Sequence, residues 1–139
     1  MSRPTIRFGL EGRAYIVTGG SQGIGEACAR RLAADGAGVA IWDVADARGE
    51  KLAQALRGEG ADAHFRHCDV SRKAEVDAAL AATLAAFGRV DGLVNNAGIF
   101  KACDFLDINE ADWDAVLAVN LKGSFLVGQA VARVLAAQG

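Results

Sequence analysis

Cysteine, proline and aromatic residues are all scarce in this chain of 139 residues. It has three Cys, one Pro (Pro4) and 6% aromatics. Cys28, Cys68 and Cys103 are odd in number, far apart and never arranged as Cys-x-x-Cys, so neither a disulfide framework nor a zinc knuckle is expected. Positive charge is not in excess either. Fifteen Lys and Arg face 17 Asp and Glu, for a net charge of −2 and a pI near 5.6. No basic surplus is available to neutralise phosphates, so no nucleic-acid partner is expected. No stretch approaches the roughly 18 apolar residues of a membrane span, and Met1-Ser2-Arg3-Pro4-Thr5 leads into no signal-type segment. A reduced, soluble, cytoplasmic protein without a membrane partner is the expectation. Disorder is excluded, because 52% of the residues are hydrophobic and the net charge is small.

Alanine and glycine are what the chain has in plenty, with 29 Ala and 17 Gly. Helices packed closely on a sheet, with tight turns, would use both. The length suits one ordinary domain able to bury roughly two thirds of its unfolded surface. His64, His67 and Cys68 lie near one another, but in an extended strand His64 and His67 point to opposite faces. They read as strand residues, and no metal is expected.

Two hydrophobic periods alternate along the chain. Ala14 to Thr18 is a short apolar run before glycines and reads as a buried strand. Ile24, Cys28 and Leu32 recur at helical spacing up to Asp35, with Gly36 placed to end the helix. Val39 to Asp43 is a second strand. Asp46 can cap a helix carrying Leu52, Ala55 and Leu56 on one side and closed by Gly58. Ala63 to Asp69 is a third strand. Ser71 then caps the clearest helix, striped by Val76, Ala79, Leu80, Thr83, Leu84 and Phe87 before Gly88. Gly92 to Asn95 is a fourth strand. After a polar loop, Asn109 starts a long helical pattern through Trp113, Val116, Leu117, Leu121, Phe125, Val131 and Leu135. Apolar strands alternating with amphipathic helices predict an α/β fold, a doubly wound parallel sheet of Rossmann type. Ligands are expected beyond the carboxyl ends of its strands. No linker, repeat or low-complexity segment divides residues 1–139.

The first strand runs into Thr18-Gly19-Gly20-Ser21-Gln22-Gly23-Ile24-Gly25. One glycine permits the sharp strand-to-helix turn, another lets a pyrophosphate approach the backbone, and a third lets helix and strand pack closely. The helix opening at Gly23 aims its free amides and positive dipole end at such an anion. Taken alone, the cluster could be only a turn. Asp43, at the end of the second strand, lies 24 residues after Gly19, where a carboxylate can accept from an adenosine ribose and repel a 2′-phosphate. Val44 follows it, and not a basic group that would welcome a phosphate. Taken alone, Asp43 could equally be a solvated loop carboxylate, and Asp69 a carboxylate at a helix start.

With the glycine segment, Asp69-Val70, Asn95-Asn96-Ala97-Gly98 and Val119-Asn120-Leu121-Lys122-Gly123 stand in order. Together they resemble the N-terminal half of the short-chain dehydrogenase/reductase family from about Glu11 onward. The resemblance implies NAD(H) as cofactor and an alcohol or ketone as the small-molecule substrate. It implies a pyrophosphate cradle from Gly19 to Gly25, including Ser21, Gln22, Gly23 and Ile24. It also implies selection of NAD(H) over NADP(H) by Asp43, and an adenine site at Asp69 and Val70. Asn96, Ala97 and Gly98 would line the adenosine ribose side, while Asn95 would tie the central strands together. Asn120 would be a catalytic residue, distorting its helix and holding a water of the proton relay. Stepping by three and four from Trp113 puts Asn120 beside the apolar stripe, facing inward, where a buried amide needs defined partners.

The serine and the Tyr-x-x-x-Lys pair that carry the family's chemistry have no counterpart. The one tyrosine is Tyr15, with Gly19 four residues on, and Ser124 falls inside the long helix. The expectation is therefore an incomplete domain, the cofactor-binding half of a longer homo-oligomeric enzyme (a tetramer or dimer), with negligible turnover on its own. A four-stranded sheet would leave the Leu93-Val94 strand as an open edge and the long helix partly uncovered, with an exposed stripe around Phe125 and Val131. A non-catalytic dinucleotide-binding module and an inert fragment are the alternatives.

Overall fold

The computed structural model describes residues 6–139; the Met1–Thr5 segment, read above for targeting signals, lies outside them. Four strands and five helices follow in the order β1 (Ala14–Thr18), α1 (Gly23–Ala34), β2 (Gly38–Asp43), α2 (Asp46–Gly58), β3 (Ala63–His67), α3 (Lys73–Phe87), β4 (Gly92–Val94), α4 (Glu110–Leu117) and α5 (Ser124–Gln138). A 3₁₀ turn at Phe105–Asp107 precedes α4, and a π-helical turn at Ala118–Gly123 joins α4 to α5. The sheet is wholly parallel, in the order β3-β2-β1-β4. The chain builds outward from β1 to β3, then returns to the other side of β1. Its topological switch point therefore lies between β1 and β4, at their carboxyl ends.

Strand alternation divides the apolar side chains between two faces. Val17, Val39 and Ile41 pack with Leu52, Ala53 and Leu56 on the α1/α2 side. Ile16, Ala40 and Trp42 pack with Val76, Val127 and Val131 on the α3/α5 side. Trp42 is fully buried, and its indole Nε1 donates to Thr83 Oγ1 at 3.0 Å. Burying an aromatic of that size contributes on the order of 4 kcal/mol, and the hydrogen bond removes the cost of an unpaired N–H. Both faces are covered by helices, which is why the central strands β1 and β2 read as nearly continuous apolar runs, while the edge strand β3 carries His64, Arg66 and His67.

Several local expectations are corrected. Asp46 does not cap α2; Ala45 stands at the cap and Asp46 pairs instead with His67 Nδ1 at 2.6 Å. Gly58 is still helical, and Gly60 (φ +92°) makes the turn after it. Ala55 is exposed while Ala53 is buried. Ser71 does not cap α3, because its hydroxyl donates to Asp69 Oδ1 at 2.6 Å. At Asp46 and Ser71 a short polar side chain finds a better-placed partner than the helix amides. β3 stops at His67, and β4 stops at Val94. Asn109 does cap α4, accepting from the Asp112 amide at 2.8 Å.

The C-terminal helices depart furthest from expectation. Trp113, Leu117, Leu121 and Phe125 are exposed, whereas Val131 is 1% exposed and belongs to the core. β4 does form the sheet edge. The residues just before it are covered, however, because the Gln138 amide bonds reciprocally with Val90 N and O at 3.1 and 2.6 Å. One further reading is overturned. The helical run Glu110–Gln138 contains an 18-residue window of mean hydropathy 1.4, long and apolar enough by length and composition to cross a membrane. Valine and leucine supply most of that apolarity. Val127 and Val131 pack within the α3/α5 core, while only 17% of that window is buried.

Candidate functional site

Thr18, the last residue of β1, anchors the site. Its buried hydroxyl accepts from the amides of Asn96 and Ala97 at 2.9 and 3.0 Å. The Asn96 side chain donates in turn to the carbonyls of Thr18 and Gly19 at 3.1 and 3.2 Å. Asn96 therefore ties β1 to the segment after β4, a role expected of Asn95. The Asn95 amide instead donates to Ser124 O at 2.8 Å and fastens the loop to α5.

The glycines between β1 and α1 do different work. A Cβ on Gly19 would approach Ala97 Cα to 2.9 Å, and one on Gly25 would land on the Gly19 carbonyl oxygen, so both are demanded by close packing. Gly23 has φ +56° and no atom within 4 Å of a would-be Cβ; it faces open space. Gln22 occupies the N-cap position of α1 without a side-chain cap, leaving the first-turn amides free of side-chain partners. The positive end of a 12-residue helix thus opens onto a bare backbone.

Ser21 faces away from that opening. It is 4% exposed, and its amide and hydroxyl both donate to Asp43 Oδ2, at 3.1 and 2.6 Å. Ala45 N donates to the other oxygen at 3.0 Å. Burial alone would raise the Asp43 carboxyl. The hydrogen bonds from the Ser21 hydroxyl and from the Ala45, Ser21 and Val44 amides outweigh it and hold the group below its ordinary value. Asp43 is therefore a fixed, charged acceptor.

On the neighbouring strand end, Asp69 Oδ1 accepts from Ser71 N and Oγ, and its own amide donates to Glu75 at 2.8 Å. Val70 is buried beneath the π turn, close enough to Gly123 that a Cβ there would sit 2.6 Å from Val70 Cγ2. The hydrogen bond with Asp46, assisted by nearby carboxylates, raises the His67 pKa against a lowering by desolvation. Burial pushes the Cys68 thiol up to about 12.

These pieces surround a cavity of about 490 Å³ beyond the carboxyl ends of the strands. Gly19, Gln22, Gly23 and Ile24 line one side, and Asp43, Asp69 and Val70 another; Asn96, Ala97 and Gly98 close the third. Three of the residues singled out from the sequence stand behind the wall. Ser21 braces Asp43, Gly25 packs under Gly19, and Asn120 holds Ile99. The expected burial of Asn120 is corrected: it is exposed on the π turn. Its amide nevertheless has defined partners, accepting from Ile99 N at 2.8 Å and donating to Ile99 O at 2.9 Å. The helix is locally distorted at Asn120, since the π turn spans it. Sequence reading missed Val44, Cys68, Ile99 and Val119, which also line the cavity. It also missed Arg48, which reaches back from α2 to Gln22 Oε1. Thr18, which was read only as the end of β1 and of the glycine segment, had a local signal, standing just before the glycines.

Comparison with known proteins agrees with this geometry. The family model for short chain dehydrogenases matches residues 13–139. D-threitol dehydrogenase of Mycolicibacterium smegmatis is 44% identical over 95% of this chain and 51% of its own length. The 5-keto-D-gluconate 5-reductase of Escherichia coli is 40% identical over 91% of this chain and 50% of its own. A short chain dehydrogenase/reductase from Burkholderia phymatum, solved in complex with NAD, superposes with TM-score 0.88 at 31% identity, covering 91% of this chain and 45% of that one. A 3-ketoacyl-(acyl-carrier-protein) reductase from Brucella melitensis, complexed with NADH, gives 0.84 at 37% identity, over 90% and 51%. The chain spans about half the length of the curated relatives it matches. A parallel sheet that switches direction at β1, a glycine turn beneath it and a match along nearly the whole chain place this protein in the short-chain dehydrogenase family, as the N-terminal portion of that fold.

Proposed function

We propose that the cavity binds NAD(H), and that the whole protein is an oxidoreductase interconverting an alcohol and a ketone. The observation that carries this reading is the Asp43 carboxylate, fixed by Ser21 at the end of β2, beside the uncapped first turn of α1. The two groups suit the two ends of an adenosine diphosphate: free amides for the pyrophosphate, and a charged acceptor for the ribose hydroxyls. A carboxylate there also repels a 2′-phosphate. The bare wall at Gly23 leaves room for the pyrophosphate to lie against the backbone. Asp69 and Val70 would border the adenine, and Asn96, Ala97 and Gly98 the ribose. Asn120, through Ile99, would hold the loop beside the nicotinamide end, and a water on the π turn would belong to the proton relay.

When bound, the nicotinamide supplies the hydride acceptor or donor. The catalytic serine and the Tyr-x-x-x-Lys pair implied by the family have no counterpart among these 139 residues, so the alcohol–ketone step is proposed for the whole protein. We take residues 1–139 as the cofactor-binding half of one domain in a cytoplasmic homo-oligomer. The exposed row from Trp113 to Phe125 supports association. The lack of a Tyr-x-x-x-Lys pair also favours a second reading, a dinucleotide-binding module without catalysis. Titration with NADH, followed by nicotinamide fluorescence, tests what both readings share. Saturable binding at least tenfold tighter than for NADPH is expected; no saturable change, or equal affinity for NADPH, would overturn the assignment. Sustained NAD reduction by the homogeneous 139-residue chain would overturn its expected negligible turnover.

A further inference from the structure

β3 ends on an imidazole set between two helix starts. His67 Nδ1 lies 2.6 Å from Asp46 at the start of α2, and its Nε2 lies 3.6 Å from Glu75 Oε2 in the first turn of α3. Among the described residues no other side chain contacts carboxylates of both helices. The same Glu75 oxygen accepts from the Asp69 amide at 2.8 Å. His67 and Glu75 stand outside the cavity, but Asp69 and Val70 line it. A chain of contacts thus runs from α2 through the ring and a carboxylate to the backbone of the cavity wall.

Geometry fixes which proton can change. A carboxylate only accepts, so the short contact with Asp46 requires the hydrogen on Nδ1. The proton gained or lost near neutrality is therefore the one on Nε2, facing Glu75. With it the ring attracts Glu75; without it a bare lone pair faces the carboxylate. Arg72, 3.3 Å from Glu75 Oε1, then remains as the cation on Glu75 and draws it away from the ring. The other charged groups around His67 are Asp69 beyond it and Asp43, its register partner on β2, which Ser21 holds. Arg48 of α2 bonds Gln22 instead.

We propose that His67 is a positioning residue for the cavity: protonated at Nε2, it keeps Glu75 on the Asp69 amide, and dinucleotide affinity falls when that proton leaves. The proposal rests on the dinucleotide reading of the cavity, in which Asp69 and Val70 border the adenine. The Asp46 hydrogen bond raises the His67 pKa above its ordinary 6.5. Binding is then tightest below 6.5 and weakens as pH rises through the raised value. Over that range Asp43 stays charged, its carboxyl held below 3.8, and the Cys68 thiol, pushed up to about 12, stays neutral.

NADH fluorescence titrations from pH 6 to pH 8.5 test this on the native chain and on His67→Gln, His67→Lys and Glu75→Gln. Native affinity should fall about threefold across the range, the size expected of an exposed ion pair. His67→Gln and Glu75→Gln should give flat profiles. His67→Lys, charged throughout, should keep the acid-side affinity at pH 8.5; a merely structural ring would be lost equally in Lys and Gln. By reciprocity NADH should raise the His67 pKa read from its imidazole resonances by nuclear magnetic resonance, which needs no variant. NADH binding with a flat native profile and an unmoved His67 pKa would overturn the role of His67 and leave the dinucleotide reading standing. So would the native slope persisting in a folded His67→Gln, which would assign it to another group such as His64, paired with Asp62. Absence of NADH binding at every pH would overturn both. Circular dichroism of each variant separates a lost fold from a lost contact.

Discussion

Removing the Ser21 hydroxyl tests how Asp43 is held. In Ser21→Ala the 2.6 Å hydrogen bond to Asp43 Oδ2 disappears, while the 3.1 Å bond from the Ser21 amide remains. A hydrogen bond to a charged acceptor contributes about 1.5–3 kcal/mol. Asp43 is only half-buried, and solvent screening reduces this to about 1–1.5 kcal/mol. Burial raises the Asp43 carboxyl, and the Ser21 hydroxyl is the strongest of the donors that bring it below its ordinary 3.8. A carboxyl with a lower folded than unfolded pKa releases its proton more readily in the native state. Its stabilisation is complete above 3.8 and is lost as pH falls through the lower folded value. Ser21→Ala should therefore destabilise the chain at pH 7 and matter less near pH 3. At about 2.1 cal/mol/K per residue, the chain has an unfolding entropy of about 0.3 kcal/mol/K, so Tm should fall by roughly 3–5 °C at pH 7. Thermal unfolding followed by circular dichroism at both pH values measures this. An equal drop at pH 7 and pH 3, or no drop at pH 7, would refute the account of Asp43.

Three further outcomes follow from the same geometry. Thr18→Val leaves the Asn96 and Ala97 amides without their acceptor and should cost about 2–4 kcal/mol, with Thr18→Ser recovering most of it; urea denaturation reads both. Gly25→Ala drives a methyl into the Gly19 carbonyl and should cost about 3 kcal/mol or more, whereas Gly23→Ala, facing open space, should cost about 1–2 kcal/mol for its left-handed backbone; the order of their urea midpoints checks this. At pH 8.5 iodoacetamide should label the exposed Cys103 and spare Cys68, whose buried thiol is pushed up to about 12; peptide mass spectrometry decides.

β1, β2 and β4 were legible because each is an apolar run bounded by glycine or by a carboxylate, whereas β3 carries His64, Arg66 and His67 and was marked only by its place between two helical patterns. β1 matches its expected limits, and β2 begins one residue earlier, at Gly38. The glycine turn and Asp43 were legible for a related reason, since strand-end geometry restricts which residues fit. Helix starts were not. Asp46 and Ser71 have the side chains of N-caps, but His67 reaches Asp46 from another segment, and Ser71 turns back to Asp69 two residues upstream, a local contact that competes with capping. The part played by Ser21 was hidden in the same way, because its partner is 22 residues distant. The inward placement of Asn120 failed because the stripe it was counted from is itself exposed at Trp113, Leu117 and Leu121, and an apolar stripe does not say what covers it.

The wide π turn at Ala118–Gly123 governs how the C-terminal helices tolerate change. Residues spaced by four in a regular helix swing by about 40° per step, because four exceeds the 3.6 residues of a turn. Trp113, Leu117, Leu121 and Phe125 would then spiral about 120° around the axis. The additional residue in the wide turn takes back roughly 100°, so the row keeps to one side while Val127 and Val131 still meet the core. The turn behaves as a phase correction between two otherwise regular rods. Substitutions along either rod alter one contact at a time. Deleting one residue between 118 and 123 would instead rotate all of α5 by about 100° and carry Val127 and Val131 off the core together. The number of residues between Asn109 and Val131 is therefore constrained more tightly than the identity of most of them.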